Sequence, residues 1–423
     1  MNYQKMEVSQ LKKEFEELKI KYEKYKSENL KLDMSRGKPC PEQLDLSMEI
    51  LDCLTSRDIC KAENGIDCRN YGVLEGIPEA RALFGQILDV PADNVIVGGN
   101  SSLNMMYDTI AKAMQFGVPG GDAPWGELPK VKFLCPSPGY DRHFAICEAF
   151  GIEMIAVDIN HDGPDMDTVE KLVSADESIK GIWCVPKYSN PDGITYSDEV
   201  VDRLASMTTK AKDFRILWDN AYAVHHLSGE DKLKNIYDAC KAASNWDRVI
   251  IFASTSKISF PGAGVAAMAA SDVNIGHIKK LMSIQTIGSD KLNQLRHVKY
   301  FKSIDGIHEH MKKQAAIISP KFDKVLEILE RDLGEKNIAW WNKPNGGYFI
   351  SLYTLDDSAK KIVAMAREAG VILTGAGATY PYGRDPRDRN IRIAPTYPSI
   401  SELEKAIDIL TLCVQIVSIE KVM

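Results

Sequence analysis

The sequence predicts an α/β fold, a mainly parallel sheet with helices on both faces joined to a smaller α+β unit. Three observations carry this. From about residue 70 to 300, short apolar runs alternate with longer amphipathic stretches. Past residue 305 the order changes to a long helical stretch, then short apolar runs, then a closing helix. And 423 residues are too many for one small core, so two packed units are expected.

In chain order, residues 5–30 read as a helix, because Leu11, Phe15, Leu18 and Tyr22 recur at three- and four-residue steps with Lys and Glu between them. This helix is either an arm packed on a partner subunit or an amphipathic helix lying on its own domain. The Tyr22/Tyr25 stripe reads as packing. Asp33-Met34-Ser35-Arg36-Gly37-Lys38-Pro39 then ends the helix with Gly and Pro. Strands are expected over residues 94–97, 131–135, 154–157, 181–185, 215–218, 249–253 and 265–269. Residues 117–130, rich in Gly and Pro, read as a surface loop. Residues 305–334 read as a helix. They are followed by runs at 346–350, 371–373 and 391–393, and by a helix after Ser399. No internal repeat or low-complexity tract is present.

Composition narrows the class. Apolar residues make up 44% and charged residues 26%, ordinary for a globular protein. A net charge of −7 argues against a general nucleic-acid or anionic-membrane binder, though not against small anionic substrates. Nine scattered cysteines without a Cys-x-x-Cys pair read as reduced thiols, not a disulfide framework or zinc site. No apolar run is long enough to span a bilayer, and the N-terminus lacks the apolar stretch of a secretion signal. A cytoplasmic location is expected. His225-His226 and the His308/His310 pair lack carboxylate and cysteine companions, so no metal is expected.

The chemistry-bearing residues fall just after the apolar runs, where ligands collect in open α/β sheets. Asn190 follows the run ending at Val185, Asp219 follows Ile216-Leu217-Trp218, and Lys257 follows Phe252-Ala253. Gly98-Gly99-Asn100-Ser101-Ser102 follows Val95-Ile96-Val97 and opens a helix at Leu103. Its glycines allow close backbone approach, and the first helical N–H groups suit a phosphate. Ser101, Ser102, Ser254 and Ser256 add hydroxyl donors. A lysine at a strand end, with a carboxylate and a phenol arriving from a neighbouring one, suits an aldehyde cofactor held as a Schiff base with its ring nitrogen protonated. Each residue alone has a plainer reading: Asp219, Ser101 and Ser102 as helix caps, Lys257 as a surface lysine, Arg392 in a structural ion pair.

Together these residues resemble the fold type I pyridoxal-phosphate enzymes, and within them the class I/II aminotransferases. The likeness rests on Tyr71-Gly72 with Glu75-Gly76, Gly99-Asn100-Ser101-Ser102 and Pro138-Gly139-Tyr140. It continues through Asn190-Pro191-Asp192-Gly193, Asp219 with Tyr222, Ser254 to Lys257, Pro344 with Gly346-Gly347-Tyr348-Phe349, and Arg392. It covers roughly residues 30 to 420. Each motif is weak alone, and their shared order and spacing are specific. The nearest likeness is to a bacterial branch called MocR-like aminotransferases, which resemble aspartate aminotransferases in activity.

The resemblance implies a large domain, residues 66–304, with a mostly parallel seven-stranded sheet including one antiparallel strand. It implies a small domain from residues 33–65 and 305–423, with residues 1–32 as a helical arm. It implies pyridoxal 5'-phosphate as cofactor, an amino acid and a 2-oxo acid as substrates, and a homodimer with shared active sites. Lys257 then binds the cofactor covalently and moves the substrate's proton. Asp219 pairs with the pyridinium nitrogen, Asn190 and Tyr222 bond the phenolic oxygen, and Tyr140 stacks on the ring. Gly99, Asn100, Ser101, Ser102, Ser254 and Ser256 serve the phosphate, with Tyr71 reaching a neighbouring subunit's phosphate. Arg392 grips the substrate α-carboxylate. Gly37 and Arg36 lie where the family's substrate-facing loop begins. Arg36, or Arg296 from a partner, is the candidate to read an acidic side chain.

One departure stands out. Many relatives place an arginine seven or eight residues after the lysine, and here Gly264 and Val265 occupy those positions. Cofactor binding is therefore expected not to depend on them. Aspartate is the expected donor. Aromatic, 2-aminoadipate or alanine transamination and β-lyase chemistry remain alternatives. A regulator built on an aminotransferase-like domain needs a DNA-binding domain, and only about thirty residues precede the family-like region.

Overall fold

The computed structural model describes residues 2–423. The N-terminal part holds α1 (Val8–Ser27), β1 (Leu32–Asp33), α2 (Pro41–Asp45) and α3 (Pro78–Leu88). Strands and helices then alternate: β2 (Val95–Val97), α4 (Ser102–Phe116), β3 (Lys132–Ser137), α5 (Asp141–Ala149), β4 (Glu153–Asn160), β5 (Gly163–Pro164) and α6 (Met166–Ala175). The alternation continues with β6 (Ile179–Cys184), α7 (Asp198–Ser206), β7 (Arg215–Asp219), α8 (Ile236–Ala242), β8 (Val249–Ser254) and β9 (Ala266–Ala270). Next come α9 (Asp272–Gln285), α10 (Lys291–Phe301), α11 (Ile304–Leu333), β10 (Ala339–Trp341) and β11 (Ile350–Thr354). The chain closes with α12 (Ala359–Glu368), β12 (Val371–Ile372), β13 (Asn390–Ile393) and α13 (Ile400–Val422).

The main sheet has the order β2-β9-β8-β7-β6-β3-β4-β5. The ladders from β8 through β4 are parallel, and β9 runs antiparallel to both its neighbours. Eight strands form where seven are expected, because the two-residue β5 turns back antiparallel on the end of β4. So short a strand leaves no apolar run to find. Alternation along β8 builds both cores. Val249, Ile251 and Ala253 join one cluster with α3, α6, α7 and α8, while Ile250 and Phe252 join another with α4, α5 and α9. These strands are apolar on both faces, so they read as continuous apolar runs.

A second core gathers the outer elements. Residues of α11, α12 and α13 pack with the sheet β10-β11-β13 and the pair β1-β12. Helix α1 belongs to this core: Leu11, Leu18 and Tyr22 are buried in it, and the Tyr22 hydroxyl donates to the Met365 carbonyl at 3.0 Å. In this chain α1 lies against α13. The 117–130 segment differs from a free surface loop. Its Trp125 is buried, donating from Nε1 to Asp213 at 2.7 Å, so an aromatic anchor inside a Gly/Pro-rich stretch docks it. All nine cysteines are free thiols. Among the described residues, no helix is long and apolar enough to cross a membrane.

Candidate active site

The connectivity reverses between β3 and β6, and the side chains singled out in the sequence gather where these strands end. β7 ends on Asp219, β8 leads into Ser256 and Lys257, β6 into the loop carrying Asn190, and β3 into Tyr140 at the start of α5. They line one cavity of about 590 Å³ with Gly37, Tyr222, Ser101, Ser102 and Arg392, a size suited to a cofactor with substrate.

Asp219 is the most telling residue. It is 3% exposed, and its Oδ2 meets His143 Nε2 at 3.1 Å. Its Oδ1 is buried with no partner at all. A buried carboxylate oxygen without a donor is costly, so an N–H from a bound group is expected to complete it. His143 is held in turn by stacking on Trp183, with centroids 4.3 Å apart and planes 8° apart. A protonated ring nitrogen fits this orphan acceptor.

Lys257 lines the cavity with its amine 5.1 Å from the centre of the Tyr222 ring and 5.9 Å from that of Tyr348. Burial lowers its pKa, with the nearby Asp219 charge working against the shift. Its backbone is clamped. His225 Nε2 lies 3.3 Å from the Lys257 carbonyl, and His310 Nε2 lies 2.8 Å from the Ile258 carbonyl, which also accepts from Gln314 at 3.2 Å. Burial, then the Lys257 charge, push His225 down to about 3, so it stays a neutral imidazole that donates from Nε2. The Tyr222 hydroxyl, raised by burial, stays protonated.

The phosphate side follows from the start of α4. Ser101 caps the helix by accepting from the Leu103 N–H at 3.2 Å, and Ser102 opens its first turn. The Ser254 hydroxyl donates to Ser256 Oγ at 3.0 Å, so both face the same region. Gly99 and Asn100 sit on the connecting loop and line the neighbouring cavity instead. An arginine at position 264 would be crowded. A Cβ at Gly264 would lie 3.0 Å from the Phe260 carbonyl oxygen and 3.1 Å from Thr255 Oγ1. Hydroxyls, backbone N–H groups and the helix dipole form this end of the cradle. The residues present therefore fit pyridoxal phosphate at both its ring nitrogen and its phosphate.

At the opposite end, Arg392 on β13 is 7% exposed. Its Nη1 reaches Asp141 at 3.1 Å and Asn190 Oδ1 at 3.2 Å, and its Nη2 donates to Thr374 Oγ1 at 3.1 Å. Its Nε is buried without a partner, a donor free for a carboxylate. Thr374 in turn donates to the Ser35 carbonyl at 2.6 Å, tying Arg392 to the loop that bears Arg36. The Phe349 ring lies 4.9 Å below the guanidinium and fills the space a Cβ at Gly37 would need, at 2.4 Å. Only glycine fits that close approach.

Arg36 lines the cavity, and so does Arg142, which the sequence reading did not single out. Its signal was present in Tyr140-Asp141-Arg142-His143, the opening turn of α5. His143 lies in the same turn and was likewise missed, His225 was weighed only as a metal ligand, and no local pattern marks Thr374. Tyr71 and Arg296 lie away from this cavity. Tyr71 is 81% exposed.

The family model described as aspartate amino-transferase matches residues 6–423. An aspartate aminotransferase of Corynebacterium glutamicum is 46% identical over 406 residues, covering 96% of this chain and 94% of that one. A Mycolicibacterium smegmatis protein described as an aminotransferase is 48% identical over 422 residues, covering 99% of both chains. A crystal structure of an aspartate transaminase from C. glutamicum superposes with a TM-score of 0.97 at 44% identity, covering 100% of both chains. With the strand-end lysine, the orphaned carboxylate and the buried arginine in one cavity, these likenesses establish that the chain belongs to the aspartate aminotransferase family.

Proposed function

We propose that this protein is a pyridoxal-phosphate-dependent aminotransferase that takes the amino group of L-aspartate and delivers it to a 2-oxo acid such as 2-oxoglutarate. The reading rests on family membership, on the C. glutamicum relative that carries the name aspartate aminotransferase, and above all on the partnerless Asp219 Oδ1 beside Lys257. The bound cofactor supplies an electron sink for the pair freed when the α-proton leaves.

The protein's own residues do the rest. Lys257, its basicity lowered by burial, holds the cofactor and then carries the proton at the substrate α-carbon. Asp219, oriented by His143, sets a carboxylate against the ring nitrogen. Asn190 and Tyr222 hydrogen-bond the ring oxygen, and Tyr140 covers the ring face. Arg392 takes the α-carboxylate through its free Nε edge. A second carboxylate needs a second cation. Arg36 and Arg142 both line the cavity, and neither guanidinium has a hydrogen bond or ion pair among the described residues.

We further propose a homodimer with Tyr71 serving the partner's phosphate, and a cytoplasmic protein. The exposed Tyr71 and Ile59 support a covered surface.

Borohydride reduction of the holoenzyme followed by peptide mapping tests the core of this reading. The label is expected on Lys257; a label elsewhere removes it. For the donor, the rate at which each amino acid bleaches the cofactor's visible band is measured. Aspartate is expected to lead, and Arg36→Ala or Arg142→Ala to slow aspartate more than alanine. Equal losses on both amino acids would take that arginine out of side-chain recognition.

A further inference from the structure

Behind the loop Gly98–Asn100 lies a second cavity of about 340 Å³, between α4 and α9 on the face of the sheet carrying Ile250 and Met268. Its walls are Met105, Ile250, Met268, Ile278 and Leu281, all buried apolar side chains. The opening is polar, with Asn104 and Gln285 at exposed positions. The same loop that leads into the Ser101 cap forms one wall, so the two cavities share it.

Two opposite charges line this space, Lys112 in its wall and Asp108 toward its mouth. The Lys112 side chain is 16% exposed and makes no hydrogen bond among the described residues. Its ionic partner is Asp108, one turn away at 3.8 Å, too far for a hydrogen bond. Asp108 is turned to the more exposed rim, where Gln285 donates to it at 2.9 Å. Burial lowers the Lys112 pKa, as expected for an ammonium short of acceptors. An ammonium in such a place has unspent donors facing a volume that fits a ring or short alkyl chain.

We propose that this cavity is a second small-molecule site, taking a monocarboxylate with an apolar aryl or alkyl body, its carboxylate held by Lys112 and its body against Met105, Met268 and Leu281. One cation with Asp108 close by favours a single negative charge over the two of a phosphate. The site is separate from Arg392 and does not depend on the transamination reading.

Calorimetric titration of the holoenzyme with 4-phenylbutanoate tests it. One probe is expected per chain, and binding is expected to persist in Arg392→Leu, which disables the carboxylate end of the active site. Lys112→Met keeps the aliphatic packing and is expected to weaken the probe by about tenfold. The neutral amide of the same probe should be weakened alike. Ala113→Phe, which fills the cavity, should abolish binding; if that variant folds poorly, Lys112→Met and the amide decide. No heat at millimolar probe, loss of binding in Arg392→Leu, or an unchanged affinity in Lys112→Met would overturn the proposal.

Discussion

At the scale of single residues, the site works through two unsatisfied atoms held in place by satisfied ones. Asp219 Oδ1 and Arg392 Nε are both buried and partnerless, while their sister atoms are tied to His143, and to Asn190, Asp141 and Thr374. Satisfied neighbours fix the geometry, and the orphans keep affinity for a ligand. Arg392→Lys therefore loses more than one hydrogen bond. A point charge cannot hold Asn190, Thr374 and a carboxylate together. We expect kcat/KM for aspartate to fall by about a hundredfold or more, roughly 3 kcal/mol, measured with saturating 2-oxo acid. A loss below threefold would show that the α-carboxylate is read elsewhere.

At the scale of elements, helices with no chemistry of their own place the loop that has it. Helix α13 has a long buried face, including Ile407, Leu410, Val414 and Val417, against α11, α12 and α1. Its start is set by a reciprocal cap between Ser399 and Glu402, a pattern visible in the sequence. Leu410→Ala, at a fully buried position, is expected to destabilise the protein by about 3 kcal/mol in urea unfolding. Activity per folded molecule should stay near native, because no side chain of α13 reaches the cavity. A loss under about 0.5 kcal/mol would mean that this core is loosely packed. Element order was legible because strands buried on both faces give unbroken apolar runs. The misses were β1, β5, β10 and the docked turn at Trp125, pieces of two or three residues with too little pattern to detect, and the run expected at 346–350 forms β11 only from Ile350 onward.

At the scale of the whole molecule, two predictions concern charge and assembly. Burial holds His225 down to about 3 and His297 to about 4, so both stay neutral in the fold while the unfolded chain protonates them near pH 6.5. Their stabilising contribution is complete above that pH and is lost as pH falls toward 4. Burial raises Asp192 to about 6, which acts in the opposite sense over the same range. Burial also lowers His226 and His310 and raises Asp388, so depressed histidines outnumber raised aspartates and the unfolded state binds more protons. Stability should fall by about 1.4 kcal/mol per pH unit between roughly pH 6 and 4.5. Thermal melts across that range check it, with a flat or rising Tm counting against it and His297→Gln expected to flatten the slope. For assembly, Tyr71→Ala and Lys257→Ala subunits, each inactive alone, are refolded together. If Tyr71 serves the partner's site, half the dimers are mixed and each carries one intact site, so roughly a quarter of native activity returns. No recovery would place Tyr71 outside the shared site.

By itself the sequence determined which segments become strands and which residues stand at their ends, because apolar runs and Gly/Pro breaks act over a few neighbours. Lys257, Asp219 and Asn190 were legible for that reason, while Arg392, inside β13, was marked by the resemblance alone. Only the tertiary structure decided their partners. His143 meets Asp219 across 76 residues and Arg392 meets Asn190 across 202, contacts set by the order β2-β9-β8-β7-β6-β3-β4-β5. Strand order depends on how crossovers pack over the whole sheet, and no local window of residues encodes it.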